Sequence, residues 1–591
     1  MVARNEIDNK YKWDLSPIFQ NDDEVYKALD NVKPTLNVLK TYKGKLGNAK
    51  DFLEFLKLEN KIGLEFEKIG VYAFLKHSEN LEDTRYVEMN NVIEAVAHKF
   101  DVETSFVEPE LSKLDEKILI SYLNNPDFKD YHLSIKEIIR NKPHILSEQE
   151  ETLVSNVGKF AGEFSEIFDM FDCVDIKFKD AVNSKGENLP LTSANFSLLL
   201  ENKDRDLRKS TFKNYYQSFI NMSNTIATNY IANVKKDVVF TKIYKHNSTL
   251  EQSLFGGNID KAIYENLIKN VELNTNLLHR YYELKKKILN LKDFEYYDTY
   301  VSISDYEKSY TFEKSVETIK KALAPMTESY VSLVDKALKE HWIDVFPTLG
   351  KETGAYSIGL YGVHPYVLLN DVGNLNSVFT LIHELGHAFH SYYSDSSQPY
   401  ELSNYPIFLA EIASTTNEVF LIKYLYKNAT SKNEKIYYLD KYLSMFKSTI
   451  FRQTMFSEFE DYAHNLVEND EAISKEKLNK FYGELNKRYH GKAINHCGEI
   501  EYEWLRIPHF YNSYYVYKYA TGLVSAINIA NGILNNKPNA LENYLTFLKS
   551  GGSDYPTNIL KNSGVDLTTS TPFDIAFKEM EWALNELEKL I

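Results

Sequence analysis

The chain has 591 residues, with 68 Lys or Arg against 84 Asp or Glu, for a formal net charge of −16. That length exceeds the roughly 250–300 residues at which single cores stop growing, so at least two lobes are expected. No basic excess exists to neutralise phosphates, which argues against a general nucleic-acid role. Only two cysteines occur, Cys173 and Cys497, so no disulfide framework exists and a reducing compartment fits. The N-terminus lacks the apolar core of a secretory signal, and no run of 18 apolar residues occurs. The expectation is a soluble cytoplasmic protein with no membrane partner.

Apolar residues recur at spacings of three and four between charged ones along most of the chain, as in Asp51–Glu59 and Lys314–Leu323, while Pro and Gly are scarce at 15 and 23. This pattern predicts a mainly helical protein. No repeat or flexible linker marks a boundary. A soft division into an N-terminal helical region, 1–200, and a catalytic region, 201–591, is expected.

Residues 174–191 and 355–369 depart from the helical pattern. The second stretch is rich in β-branched and aromatic residues punctuated by Gly and Pro, and predicts a short hairpin or two edge strands. An exposed edge at Gly354, Ala355 and Tyr356 could accept a peptide as an added strand; these strands could equally do no more than complete a small sheet.

Next comes His383-Glu-Leu-Gly-His387, inside the apolar, helix-like stretch Val378–His390. Asn374, Asn376 or Ser377 is suited to cap this helix, and residues 394–399 are loop-forming. Residues four apart share a helix face, so two imidazoles can converge on one ion at zinc–nitrogen distances of about 2.0–2.1 Å. Glu384 then lies beside the ion, within reach of a bound water. This is the pattern of a zinc hydrolase.

A catalytic zinc usually keeps three protein ligands. His390 lies seven residues from His383, about 10.5 Å of helix rise, and reads better as a packing or supporting histidine than as a ligand. The longer histidine pattern of metzincins fails, because Tyr393 stands where its third histidine is required. Glu411, on a second helix starting near Pro406, is the better candidate. Its neighbours Leu409, Ala410, Ile412 and Ala413 make a buried carboxylate costly without a cation, although a surface glutamate is the alternative. Glu418 lies two turns further on the same face and could orient a ligand histidine.

These two motifs, with Phe408-Leu-Ala-Glu-Ile-Ala-Ser414, resemble the thimet-oligopeptidase-like (M3) zinc metallopeptidases, most closely the oligoendopeptidase F branch. Supporting segments span almost the whole chain: Lys12–Phe19, Gly354–Ser357, Phe451–Glu460, Ile507–Tyr517 and Phe547–Pro556. The resemblance implies a two-lobed helical shell around a deep substrate channel, with a small β-sheet next to the zinc helix. It also implies one Zn²⁺ per chain and an intracellular endopeptidase acting on short unfolded peptides. A later histidine and tyrosines are implied to bind substrate and transition state. The matching stretch, His509–Tyr519, makes His509 and Tyr517 the leading pair and Tyr514 the third, with the register of the tyrosines left open. Thr521-Gly522 and Gly551-Gly552 are candidates for a mobile loop, or for plain helix ends.

The expected chemistry is zinc-assisted hydrolysis of internal peptide bonds, with His383, His387 and Glu411 as ligands and Glu384 as general base. The alternatives are an exopeptidase of the same architecture (a peptidyl-dipeptidase or carboxypeptidase), a catalytically silent peptide binder, or a helical scaffold in which the motif is accidental.

Overall fold

A computed structural model describes residues 2–591. It is mainly helical, as the periodicity predicts, with two small sheets. The chain forms two compact units, and these interleave along the sequence rather than dividing it once. The first gathers residues 2–145, 308–421 and 529–564; the second gathers Leu146–Glu307, Ile422–Asn528 and Val565–Ile591. No described helix is long and apolar enough to cross a membrane.

In the first unit, the long helix Ala49–Glu79 buries Phe52, Phe55, Leu56, Ile62 and Ile69, spacings that keep one face inward. It packs against Asp22–Leu39 and Thr84–Thr104. Each helix begins where a side chain accepts from its first turn: Asn21 from the Glu24 N–H, Asn48 from those of Lys50 and Asp51, and Asp83 from that of Arg85. These caps satisfy donors that the helix itself leaves unpaired.

The strands are β1 (Ala181–Val182) and β2 (Asn188–Leu189) in the second unit, and β3 (Ile343–Asp344), β4 (Tyr356–Ile358) and β5 (Tyr366–Leu368) in the first. The β4–β5 antiparallel pair is the hairpin expected from residues 355–369. Pattern reading misses β3, which adds in parallel to the other side of β5 and is only two residues long. The order β3-β5-β4 leaves β4 at an edge, and this sheet packs on the helix that carries the histidine motif.

A buried cation locks the sheet. The Lys351 ammonium, on a residue 6% exposed, meets the Asp344 carboxylate at 2.7 Å. It also donates to the carbonyls of Asp344, Phe346 and Leu369. Burial pushes its pKa down, and the Asp344 charge opposes that shift. Arg4 also pairs with Asp344, at 2.6 Å, so losing Lys351 leaves that carboxylate one cation and leaves three carbonyls without their ammonium donor, at about 1–3 kcal/mol. Lys351→Met is therefore expected to lower the thermal midpoint clearly, measured by circular dichroism; an unchanged midpoint would refute the role of this cation.

Candidate active site

The helix carrying the motif runs from Leu375 to Ser397, further than residues 394–399 suggest. Asn374 is its cap, with the Ser377 N–H donating to its side chain at 2.9 Å. The next long helix, Ile407–Lys427, carries Glu411 and Glu418. The two helices touch at Gly386. A Cβ there would lie 2.5 Å from the Ser414 Cα and 2.9 Å from the Ala413 carbonyl oxygen, so only glycine permits this approach.

That contact sets Glu411 opposite both histidines. His383 Nε2 lies 3.2 Å from His387 Nε2, and the Glu411 carboxylate lies 3.4 Å and 3.7 Å from them. Ligand atoms of all three residues fall within 4.8 Å of one another. Donors at about 2.0–2.1 Å from a tetrahedral zinc stand about 3.3 Å apart, so these spacings fit the ion.

The hydrogen bonds behind the site point the same way. His383 Nδ1 lies 2.9 Å from the Glu418 carboxylate, and His387 bonds to the Ala410 backbone. Nδ1–H tautomers on both rings turn two Nε2 lone pairs towards each other, an arrangement that calls for a cation between them. Ser414 donates to the Glu411 carboxylate at 3.1 Å, steadying the third member.

Without such an ion, the charges distribute unevenly. Burial disfavours the charged form of His383, but the Glu418 hydrogen bond and charge, aided by Glu384 and Glu411, raise it to about 9. Burial and the His383 charge push His387 down to about 4. Glu384 is 7% exposed, and burial raises its carboxyl to about 7.

His390 stands apart from this group. Its ring is buried, stacks on Tyr405 with centroids 3.7 Å apart, and lies 5.2 Å from Phe547. Burial pushes its pKa down to about 3, so it is neutral. Gly354 adopts a left-handed φ of +87° at the turn before β4, and Ala355 and Tyr356 follow it into the edge strand.

The later aromatic stretch belongs to the second unit. Tyr514 is buried at a left-handed φ of 56°. The Glu460 carboxylate accepts its backbone N–H at 3.0 Å, and its hydroxyl meets Thr249 at 3.2 Å. Tyr517 is 1% exposed, its ring edge-on to Tyr264. His509 is exposed, and the more accessible phenols beside it are Tyr515 and Tyr519, the latter with its hydroxyl 3.5 Å from His509 Nε2. Sequence reading passes over these two because a run of tyrosines carries no period that sorts inward from outward rings.

Neither suggested mobile loop has loose structure. Thr521 and Gly522 lie inside the helix Tyr517–Leu534. Gly551-Gly552 is pinned, the Gly552 N–H donating to the Leu402 carbonyl at 2.8 Å.

The fold and this histidine–glutamate cluster are those of a peptidase. The family model for peptidase family M3 matches residues 198–579, and one for oligopeptidase F matches residues 110–178. The chain belongs to peptidase family M3. It is 38% identical to group B oligopeptidase PepB of Streptococcus agalactiae, over 100% of this chain and 98% of that one. It is 37% identical to oligopeptidase PepF of Bacillus subtilis, over 100% and 88% respectively. The crystal structure of oligoendopeptidase F from Enterococcus faecium superimposes with a TM-score of 0.76 at 32% identity, covering 96% of this chain and 99% of that one.

Two substitutions test how the site is held. Glu418→Ala removes the partner of His383 Nδ1, and zinc affinity measured by chelator competition is expected to fall about 10–100-fold. Gly386→Ala forces the two helices apart at an overpacking cost of about 1–3 kcal/mol. It is expected to lower both the thermal midpoint and the bound zinc; full zinc occupancy would show that the close approach does not set the ligand spacing.

Proposed function

We propose that this peptidase is a zinc-dependent endopeptidase that hydrolyses internal bonds of short, unfolded oligopeptides, with one Zn²⁺ held by His383, His387 and Glu411. The observation that carries this reading is the pair of imidazole Nε2 atoms 3.2 Å apart with the Glu411 carboxylate beside them. Bound there, zinc supplies Lewis acidity for a scissile carbonyl and a place for the attacking water.

The remaining work falls to the chain's own groups. Glu384, buried beside the two imidazoles, accepts the water proton and delivers it to the leaving amine. Glu418 holds the Nδ1 proton of His383 and so fixes the ring's tautomer. The open edge of β4, with Gly354, Ala355 and Tyr356, is suited to bond an extended peptide backbone, which favours unfolded substrates. His509 is our candidate donor to the developing oxyanion. Partial enclosure of its ring by neighbouring groups, then the Arg452 charge, depresses its pKa, which keeps it a neutral N–H donor. Tyr515 and Tyr519 replace Tyr514 and Tyr517 as its companions, because Tyr514 spends its hydroxyl inside the unit and Tyr517 is buried. Names of the relatives, oligopeptidase and oligoendopeptidase, support the substrate class. Two free cysteines, one of them exposed, fit a reducing cytoplasmic setting.

Digestion of an internally quenched oligopeptide blocked at both ends tests the reading. Cleavage at internal bonds is expected, abolished by a zinc chelator and restored by zinc. Glu384→Gln should keep the metal and lose about 10²–10⁴-fold in turnover. Full activity of Glu384→Gln would overturn the mechanism, and cutting confined to peptides with a free terminus would establish the exopeptidase alternative.

A further inference from the structure

The second unit contains a partly open cavity of about 420 Å³, within the 300–1,000 Å³ range of small-molecule sites. None of its lining residues belongs to the cluster described above. Three are cations, Lys447, Arg452 and Arg506, and the walls include the rings of Phe212, Tyr282 and Tyr300.

One carboxylate inside this cavity is already saturated. Glu503, 1% exposed, accepts from Arg452 at 2.7 Å and Arg506 at 3.1 Å. It also accepts from the hydroxyls of Tyr482 at 2.6 Å and Tyr216 at 3.1 Å. Two guanidiniums on one carboxylate leave positive charge over, met in part by Asp172 near Arg506, and each carries five N–H donors, more than Glu503, Tyr215 and Tyr216 take up.

Lys447 adds a third cation. Its ammonium donates to the Thr299 carbonyl at 3.1 Å and sits 4.7 Å over the Tyr300 ring. It forms no ion pair with a described carboxylate; the nearby Asp440 carboxylate lies 3.7 Å from Lys285 instead, and the other acidic lining residue, Glu201, is exposed. Lys447 is carried by a π-helical turn, Phe446–Phe451. Such turns sacrifice regular helix hydrogen bonding and recur at functional sites.

We propose that this cavity is a binding site for a small organic carboxylate bearing an aromatic ring. Lys447 and the outer donors of Arg452 and Arg506 bind the carboxylate, and Tyr300, the half-buried one of the three rings, packs against the ligand's ring. The site goes beyond the proposed peptide hydrolysis and does not depend on it.

Binding is coupled to a proton. Burial first, then the charges of Lys285 and Arg452, lower the Lys447 ammonium to about 7, against the opposing pull of Asp440 and Glu201. The lysine is thus only partly charged in the free protein at neutral pH. A bound anion favours the ammonium, so binding takes up a proton, and affinity falls as pH rises above about 7.

The test uses the full chain carrying His387→Ala, so that the histidine–glutamate cluster cannot itself hold a metal for the carboxylate. N-acetyl-L-phenylalanine is titrated calorimetrically beside N-acetyl-L-phenylalaninamide and inorganic phosphate. The acid is expected to bind, the amide and phosphate at least tenfold more weakly, and the acid at least tenfold more weakly at pH 8.5 than at pH 6.5. Adding Lys447→Met should remove binding, and Lys447→Arg should retain it without the pH dependence. Equal binding of the amide or phosphate, binding that survives Lys447→Met, or no binding by the acid would each overturn the proposal. The pH series on unaltered Lys447 keeps the test valid if the Met variant misfolds.

Discussion

The close approach of two helices at Gly386 is the constraint on which the candidate site depends. A side chain there would strike the backbone of Ala413 and Ser414. With only a hydrogen in the way, the helix bearing Glu411 and Glu418 lies directly against the one bearing His383 and His387. One carboxylate then reaches the Nε2 side of both imidazoles while the other reaches Nδ1 of the first. A single backbone contact thus sets the spacing of the two imidazoles and the carboxylate together with the partner of His383 Nδ1, because helices are stiff and carry their side chains at fixed angles.

Around that contact, charge is placed so that each group is defined by its neighbours. Glu418 and Glu411 pull His383 towards its charged form, whereas His387 and the more deeply buried His390 stay neutral. Glu384, adjacent in sequence to a strongly basic imidazole, is held near neutrality by burial. Four residues of one helix, all carboxyl or imidazole, therefore have four different proton affinities, set by depth and by what each ring or carboxylate faces. The sheet behind them rests on a different device, the Lys351 ammonium gathered by a carboxylate and three carbonyls.

The second unit shows the same economy applied to cations. Glu503 gathers two guanidiniums and two phenols, and Lys447 stands near them on a π-helical turn with a carbonyl and a ring as its neighbours. Tyr514 illustrates how firmly this unit is specified: a non-glycine residue in the left-handed region is tolerated because the Glu460 carboxylate captures its N–H.

The sequence by itself determined what is local. Its three-four periodicity specified a helical protein, the Gly and Pro punctuation specified the β4–β5 hairpin, and the spacing of His383 and His387 placed two imidazoles on one helix face. The apolar neighbours of Glu411 singled it out, and the structure sets its half-buried carboxylate beside both imidazoles. The tertiary structure alone decided everything that depends on distant segments meeting. It added β3, a strand too short to show a period, and interleaved the two units where composition shows no seam. It separated the buried Tyr514 and Tyr517 from the accessible Tyr515 and Tyr519 in a run where every ring looks alike. It also brought Lys447, Arg452 and Arg506 around one cavity from two separate stretches of chain. Periodicity reports which face of an element is apolar, but the partner of that face is chosen by packing, and packing is a property of the whole chain.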